Sequence, residues 1–380
     1  MDGLIYLDNN STTKTDERVL DAMIPFLRDW YGNASSSHYF GLNVKKKIDA
    51  ARNEIANFVS AIDEEIIFTS GATEAVNIAI KGLAFSNLNN RRRLVTTATE
   101  HKAVLDTYKY LETRGFEISY LPVSSDGLID FELFKATVDN ETLLVSVMIV
   151  NNETGVIHNI SDLVSYAKQW GVYFLCDATQ AAGKLDINVE NLGVDFLCFS
   201  GHKFYGPKGI GVLYISDRSK LRNKLQAQQH GGGHEFGLRS GTVNTPGIIG
   251  LAKACEIATS EMKQNAEYVG MLRDKLEMEL LTSTDAFVNG NIIKRIYNTS
   301  NISFPGHDAN VLIGRMKNFA LSNGSACTSS VIEPSYVLRA MGVSESNAFS
   351  AIRFSLGKYN TLIDVEMTIK EMKKILEQTE

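Results

Sequence analysis

The sequence predicts an α/β fold, with a mainly parallel sheet covered by helices and a smaller α+β unit after it. Three observations carry this. From Leu94 to Asp177, apolar runs of strand length alternate with stretches of helical periodicity, the pattern of a parallel sheet with crossover helices. Small and polar residues gather where those runs end, as in sheets that collect function at their C-terminal strand ends. One long amphipathic stretch, Ile257 to Leu281, with Val269, Leu272, Leu276 and Leu280 on one face, joins this pattern to a second one. The 380 residues divide accordingly into an N-terminal segment (1–15) that packs with the small domain, a large domain (16–256) and the small domain itself (257–380).

In chain order, Leu4 to Leu7 reads as a short strand leading into the polar run Asp8-Asn9-Asn10-Ser11-Thr12-Thr13. Helices over Glu17–Asp29 and Val44–Val59 flank a turn-rich stretch, Tyr31 to His38. Lys45-Lys46-Lys47 and Arg91-Arg92-Arg93 read as solvated faces. Ile66–Thr69 is a strand that runs through Ser70-Gly71 into a helix from about Glu74 to Leu83. The alternation follows as strand Leu94–Thr97, a helix after His101, strand Ile118–Val123, a helix near Phe131–Thr137, strand Leu143–Val150, helix Ser161–Trp170 and strand Val172–Cys176. Phe196–Phe199 and Val212–Ile215 complete the large unit. The small one reads as strands Asn301–Phe304, Phe319–Leu321 and Ala351–Ser355 with helices Ala309–Met316, Ser335–Met341 and Ile363–Leu376.

Bulk properties exclude several classes. Hydrophobic content of 44% and charged content of 22% are ordinary for a soluble globular protein. A net charge of −6 argues against a general nucleic-acid surface, and no direct nucleic-acid binding is expected. No apolar run reaches membrane-spanning length, and MDGLIYLDNN lacks a secretory pattern. Cys176, Cys198, Cys255 and Cys327 form no CxxC pair, which suggests a reducing compartment, the cytoplasm. His230 and His234 enclose three glycines, so a helical zinc pair is disfavoured and a flexible loop near an anion fits better.

The chemistry concentrates at Lys203. Phe196 to Phe199 is a buried strand, Ser200-Gly201-His202-Lys203 breaks out of it, and GPKGIG turns the chain back into Val212–Ile215. A solvated turn lysine is the plainer reading. A lysine inside the protein body, however, needs a shifted pKa or covalent engagement, and a Schiff base with pyridoxal 5'-phosphate (PLP) meets that need. Such a site also needs an anion for the ring nitrogen and a phosphate cradle. Asp177 at the end of its strand offers the first, and the Ser70-Gly71-Ala72-Thr73 turn at a helix N-terminus offers the second. His101, Asn152 and Gln180 stand at neighbouring strand ends. Cys327 differs from Cys198: it lies in SNGSACTSS among small and polar residues, a composition that predicts exposure, mobility and a reactive thiol.

These residues resemble the cysteine desulfurases of the NifS/IscS type, PLP enzymes of aminotransferase class V. The similarity runs through YLDNNSTT, YGNASSSH, FTSGATEAVNIAIKG, TATEHKAV, VNNETGV, DATQAAGK, SGHKFYGPKGIG, GGGHEFGLRSGT, SNGSACTSS, EPSYVLRAMG and IRFSLGKY. It implies PLP fold type I, with a seven-stranded, mainly parallel sheet and a homodimer. It further implies Lys203 as the Schiff-base lysine, His101 stacked on the ring, Asp177 at the ring nitrogen, and Gln180 and Asn152 at the ring oxygen. The phosphate would rest on Ala72, Thr73, Ser200 and His202, with Thr242 reaching in from the other subunit. Arg353 and Asn152 would bind the substrate, L-cysteine, and Cys327 would take its sulfur as a persulfide, leaving alanine.

Ser11 and Ala34 stand where the family usually has alanine and proline, both small changes. The chain ends at Glu380, close to its last helix, where housekeeping members carry a tail that helps dock an iron–sulfur scaffold. The acceptor protein is therefore open between iron–sulfur cluster assembly, tRNA thiolation and DNA phosphorothioation. A selenocysteine lyase, an ordinary transaminase and a catalytically idle partner are the competing readings, and the last fits poorly with the presence of Lys203, Asp177, His101 and Cys327 together.

Overall fold

A computed structural model of the chain describes residues 3–86, 90–324 and 333–378. The first half opens with β1 (Ile5–Tyr6), α1 (Glu17–Arg28), α2 (Tyr39–Phe58), β2 (Ile66–Thr69) and α3 (Ala72–Phe85). It continues as β3 (Arg93–Thr97), α4 (Lys102–Glu112), β4 (Glu117–Leu121), α5 (Phe131–Thr137), β5 (Thr142–Met148), α6 (Ile160–Gln169), β6 (Tyr173–Asp177), α7 (Val189–Leu192), β7 (Phe196–Ser200) and β8 (Gly211–Ile215). The second half holds α8 (Thr245–Thr282), β9 (Phe287–Val288), β10 (Thr299–Ser303), α9 (Ala309–Arg315), β11 (Phe319–Ala320), α10 (Tyr336–Ala340), α11 (Glu345–Phe349), β12 (Ala351–Ser355) and α12 (Leu362–Glu377).

Seven strands form the central sheet in the order β2-β8-β7-β6-β5-β3-β4. Neighbours from β7 to β4 pair in parallel, and β8 alone runs against both of its neighbours. The reversal has a plain cause. Residues 201–210 between β7 and β8 are too few for a helical crossover, so the chain returns antiparallel. Every residue of β2, β5, β7 and β8 is buried, which is why these strands read as continuous apolar runs and not as alternation. Helices cover both faces: Ile55, Val164 and Ile248 pack in one cluster, and Val76, Leu83 and Tyr108 in another.

The second unit is a three-stranded antiparallel sheet, β12-β10-β9, around a separate cluster that includes Leu276, Ile302, Phe354 and Met372. β1 pairs in parallel with β11, so Ile5 and Leu7 bury their side chains in this cluster. Helix α8 runs unbroken between the units, with Ile248 and Leu251 in the first core and Val269 to Leu280 in the second. It starts well before Ile257, the expected position. Asn244 caps it by accepting from Gly247 N, and Pro246 occupies its first turn, but Gly247 and Gly250 dilute the helical signal. Gly250 is there for packing, since a Cβ would stand 2.6 Å from Met23 Sδ of α1. Likewise α2 begins at Tyr39 and not at Val44, capped by the His38 ring, with Gly41 pressed against Asn33 O. The short elements α7, α11 and β9 carry too few residues for a periodic signal.

A buried ion pair fixes the segment beyond β8. Arg52 Nη1 and Nη2 donate to both carboxylate oxygens of Glu235 at 3.0 and 2.7 Å, and Phe68 N donates to Oε2 at 2.8 Å. Glu235 and Phe236 both sit in the left-handed region, at φ 46° and 56°, a conformation that non-glycine residues hold only under outside constraint. R52M would leave the carboxylate buried without its partner and is expected to cost about 3–5 kcal/mol, read from the urea denaturation midpoint. R52M combined with E235M should recover most of that loss.

Candidate active site

The C-terminal ends of the central strands converge on a cavity of about 520 Å³. Of the residues expected at the site, Ala72, Thr73, His101, Asn152, Asp177, Gln180, Ser200, His202, Lys203 and Arg353 all line it. Thr242 does not; it is exposed, outside the lining of its own chain. Cys327 lies outside the described residues.

Each side chain is delivered by the end of an element. Lys203 closes a single 3₁₀ turn after β7, and its Nζ donates to the carbonyls of Asn10 and Ser11, each at 2.8 Å. Asp177 ends β6, and its Oδ1 accepts from Thr179 N at 2.8 Å. Gln180 Nε2 also donates to Asn10 O, at 2.8 Å. His101 is the N-cap of α4, and its Nδ1 accepts from Ala103 N at 3.1 Å. With Nδ1 an acceptor, the neutral ring carries its proton on Nε2. Burial pulls the His101 pKa down, Asp177 opposes this and Lys203 adds to it, so the neutral form is favoured.

The turn before α3 makes a close-packed cradle. Ala72 N donates to Ser200 Oγ at 2.7 Å, joining the helix N-terminus to the end of β7. A Cβ at Gly71 would stand 3.2 Å from that hydroxyl, and one at Gly211 only 2.6 Å from Gly71 Cα. His202 Nδ1 lies 3.1 Å from Thr12 Oγ1, and burial with Lys203 and Lys208 nearby lowers its pKa to about 4. It is a neutral donor or acceptor at physiological pH.

Arg353 on β12 is heavily engaged. Its Nη1 donates to Asn152 O at 3.0 Å, and its Nη2 to Asp8 Oδ1 and Ser11 Oγ, both at 2.7 Å. The serine at position 11 thus adds an oxygen to the guanidinium's surroundings that an alanine would lack. Arg353 Nε, Asn152 Oδ1 and Thr179 Oγ1 are buried polar atoms with no protein partner among the described residues. All three residues line the cavity, so its wall has polar capacity for a ligand.

Sequence reasoning missed three contributors. Asn10 supplies the carbonyl that Lys203 and Gln180 share, and its side chain reaches Asn152 O at 3.1 Å and Thr299 Oγ1 at 2.9 Å. The polar run after β1 was the available signal. Glu153 is fully buried, and burial raises its pKa to about 7 while the Ser335 hydroxyl and Arg353 oppose the rise. A Cβ on Gly324 would stand 2.6 Å from Glu153 Oε2, so described residues before and after Cys327 close on one carboxyl group. Glu100, also fully buried, accepts at Oε1 from Thr97 Oγ1 and Met148 N, both at 2.9 Å.

The family model for aminotransferase class V matches residues 5–367. The chain belongs to the class-V aminotransferases. A cysteine desulfurase IscS from Methylococcus capsulatus is 48% identical over 370 residues, 97% of this chain and 91% of that protein. The solved structure of a NifS-like protein superposes with a TM-score of 0.92 at 38% identity, covering 99% of this chain and all of that one. A structure titled SspA in complex with cysteine superposes at 0.82 with 35% identity, over 94% of this chain and all of the other. Membership of the class-V family brings PLP as cofactor. The wall fits it chemically: one lysine and one carboxylate at adjacent strand ends, a helix N-terminus with small residues for a phosphate, and buried polar atoms left over.

Burial is the main cause that raises the Glu100 pKa to about 8, and Asp177 adds to it. An unfolded glutamate titrates near ~4.3. The folded chain therefore keeps a proton that the unfolded chain has released, and stability is lost as pH rises from about 5 to about 8. E100Q removes this dependence: its melting temperature relative to wild type should rise over that interval, and thermal melts of the apoprotein at pH 5, 6.5 and 8 check it.

Proposed function

We propose that Cys327 is the thiol that takes sulfur from L-cysteine in this chain, with the cavity at the strand ends as the place where the substrate is bound. The protein is a PLP-dependent cysteine desulfurase. The observation that carries the assignment of residues is the convergence of Lys203, Asp177 and His101 on one cavity, beside the N-terminus of α3.

On this reading Lys203 anchors the cofactor covalently, Asp177 holds the ring nitrogen, His101 covers the ring, and Gln180 and Asn152 serve its oxygen. Ala72, Thr73, Ser200 and His202 hold the phosphate, with Thr242 of a second copy of the chain. The exposure of Thr242 outside its own cavity supports that homodimer, because a residue serving a neighbour's phosphate would sit there. PLP supplies, when bound, an electron sink for charge developing at the substrate Cα.

The chain's own groups supply the rest. Arg353, with Asn152 beside it, orients the substrate carboxylate through a donor fork that suits two oxygens. Lys203 Nζ, once free, is a base at Cα, and neutral His101 with its proton on Nε2 can give and regain that proton. The Cys327 thiolate attacks the substrate sulfur, an S–S bond forms, and the C–S bond breaks with its electron pair left on carbon. A proton completes the methyl group of alanine, and Cys327 keeps the sulfur as a persulfide. Cys176, Cys198 and Cys255 are poor candidates for this step, since burial pushes all three thiols well above their usual pKa. An acceptor protein then receives the sulfur. The setting is the cytoplasm, and no helix among the described residues is long and apolar enough to cross a membrane.

Alanine formation from L-cysteine with PLP and a reductant tests the reading. Wild type should produce alanine and C327S almost none; equal rates would remove Cys327 from the mechanism and leave a PLP lyase. R353K trades the planar fork for a point charge. It should raise KM for cysteine by about ten- to a hundredfold, the equivalent of one charged hydrogen bond, with a smaller change in kcat.

A further inference from the structure

Lys184 follows the turn after β6 and is buried. Its Nζ donates to two oxygens of a single residue, Gln180 Oε1 at 2.9 Å and Gln180 O at 3.2 Å. On its other side the Gln180 amide donates from Nε2 to Asn10 O, the carbonyl that also receives Lys203 Nζ. A backbone carbonyl can only accept, so the nitrogen of the amide must face Asn10 and its oxygen must face Lys184. The second N–H on Nε2 is then a donor that Gln180 has available for the cavity it lines.

We propose that Lys184 is a positioning residue that turns the Gln180 amide so that an N–H donor, and not a carbonyl oxygen, is presented to the cavity. The group such a donor serves is an oxyanion. Under the cofactor assignment above it is the phenolic oxygen of PLP, and the inference rests on that assignment. Burial first, then the charges of Lys203 and Arg353, bring the Lys184 pKa down to about 7. The hold on Gln180 survives that titration. A neutral amine has two N–H groups, one for each Gln180 oxygen, and an ammonium has three. The DATQAAGK stretch thus contributes a second lysine, which acts on the site through a glutamine without touching the ligand.

The test follows the visible band of bound PLP and its pH midpoint in wild type, K184M, Q180M and the double variant, with circular dichroism on each. A donor at the phenolic oxygen lowers its basicity. K184M is therefore expected to raise the midpoint by about one pH unit, near the free energy of one hydrogen bond to a charged group. Q180M should move it the same way, and the double variant should match Q180M alone, because Lys184 acts only through Gln180. A K184M midpoint equal to wild type, or a shift that adds in full to that of Q180M, overturns the proposal. Methionine deprives two Gln180 oxygens of a donor, at a cost in stability, but leaves no unpaired charge behind. Should K184M nevertheless fail to fold, K184Q keeps one donor for Gln180 Oε1: a midpoint nearer wild type than Q180M supports the proposal, and one equal to Q180M overturns it. A wild type that shows no visible band with PLP would overturn the cofactor assignment itself.

Discussion

The carbonyl oxygen of Asn10 is where the site is tied together. Lys203 and Gln180 both donate to it, and Lys184 sits on the far side of Gln180. A half-buried amine and a buried amide would be costly to desolvate without acceptors, and a short turn is an economical source of them, because its carbonyls are not used in a helix. The segment is itself pinned. Asn9 N donates to Ser355 O, Asn10 N to Ser355 Oγ, and Thr13 N to His202 O. Residues 8–13 therefore form a strap between the two units, and the cavity's geometry depends on it as much as on the sheet.

Charge is distributed so that few ionised groups face one another unpaired. Asp177 stands at the end of β6, while its buried neighbour Glu100 is held toward the neutral form by desolvation. Arg353 has Asp8, and Glu153 has the Ser335 hydroxyl with Arg353 nearby. Burial brings Lys184 down toward neutrality and keeps His202 uncharged. The pattern separates the ion pair at the cavity wall from buried groups that desolvation holds toward their neutral forms.

Much of this was legible in the sequence, for identifiable reasons. The buried strands announced themselves as apolar runs, and their ends as turns of small and polar residues, so Lys203, Asp177 and the 70–73 turn could be placed by chemistry alone. The beginnings of α2 and α8 were not legible, because glycines required for close packing at Gly41 and Gly250 interrupt the helical pattern. Asn10, Glu100 and Glu153 escaped for a different reason. Their roles rest on contacts across long sequence separations, such as Asn10 with Lys203 or Glu153 with Ser335, and no local spacing encodes those. The exposure of Thr242 is equally invisible in a pattern of residues, and Cys327 could be picked out by composition only because its neighbours are so unlike those of Cys198.

The strap has a consequence for how the protein is made. Residues 5–11 are synthesised well before their partners, which are Phe319, Ala320, Arg353 and Ser355. The central sheet, closed by β8 at Ile215, has its own core and is free to form long before those partners are synthesised. During that interval the two carbonyls that receive Lys203 belong to a segment with no strand to pair with. The cavity is thus finished last, by residues far apart along the chain, and a half-made chain holds the sheet of the enzyme without the pocket of one.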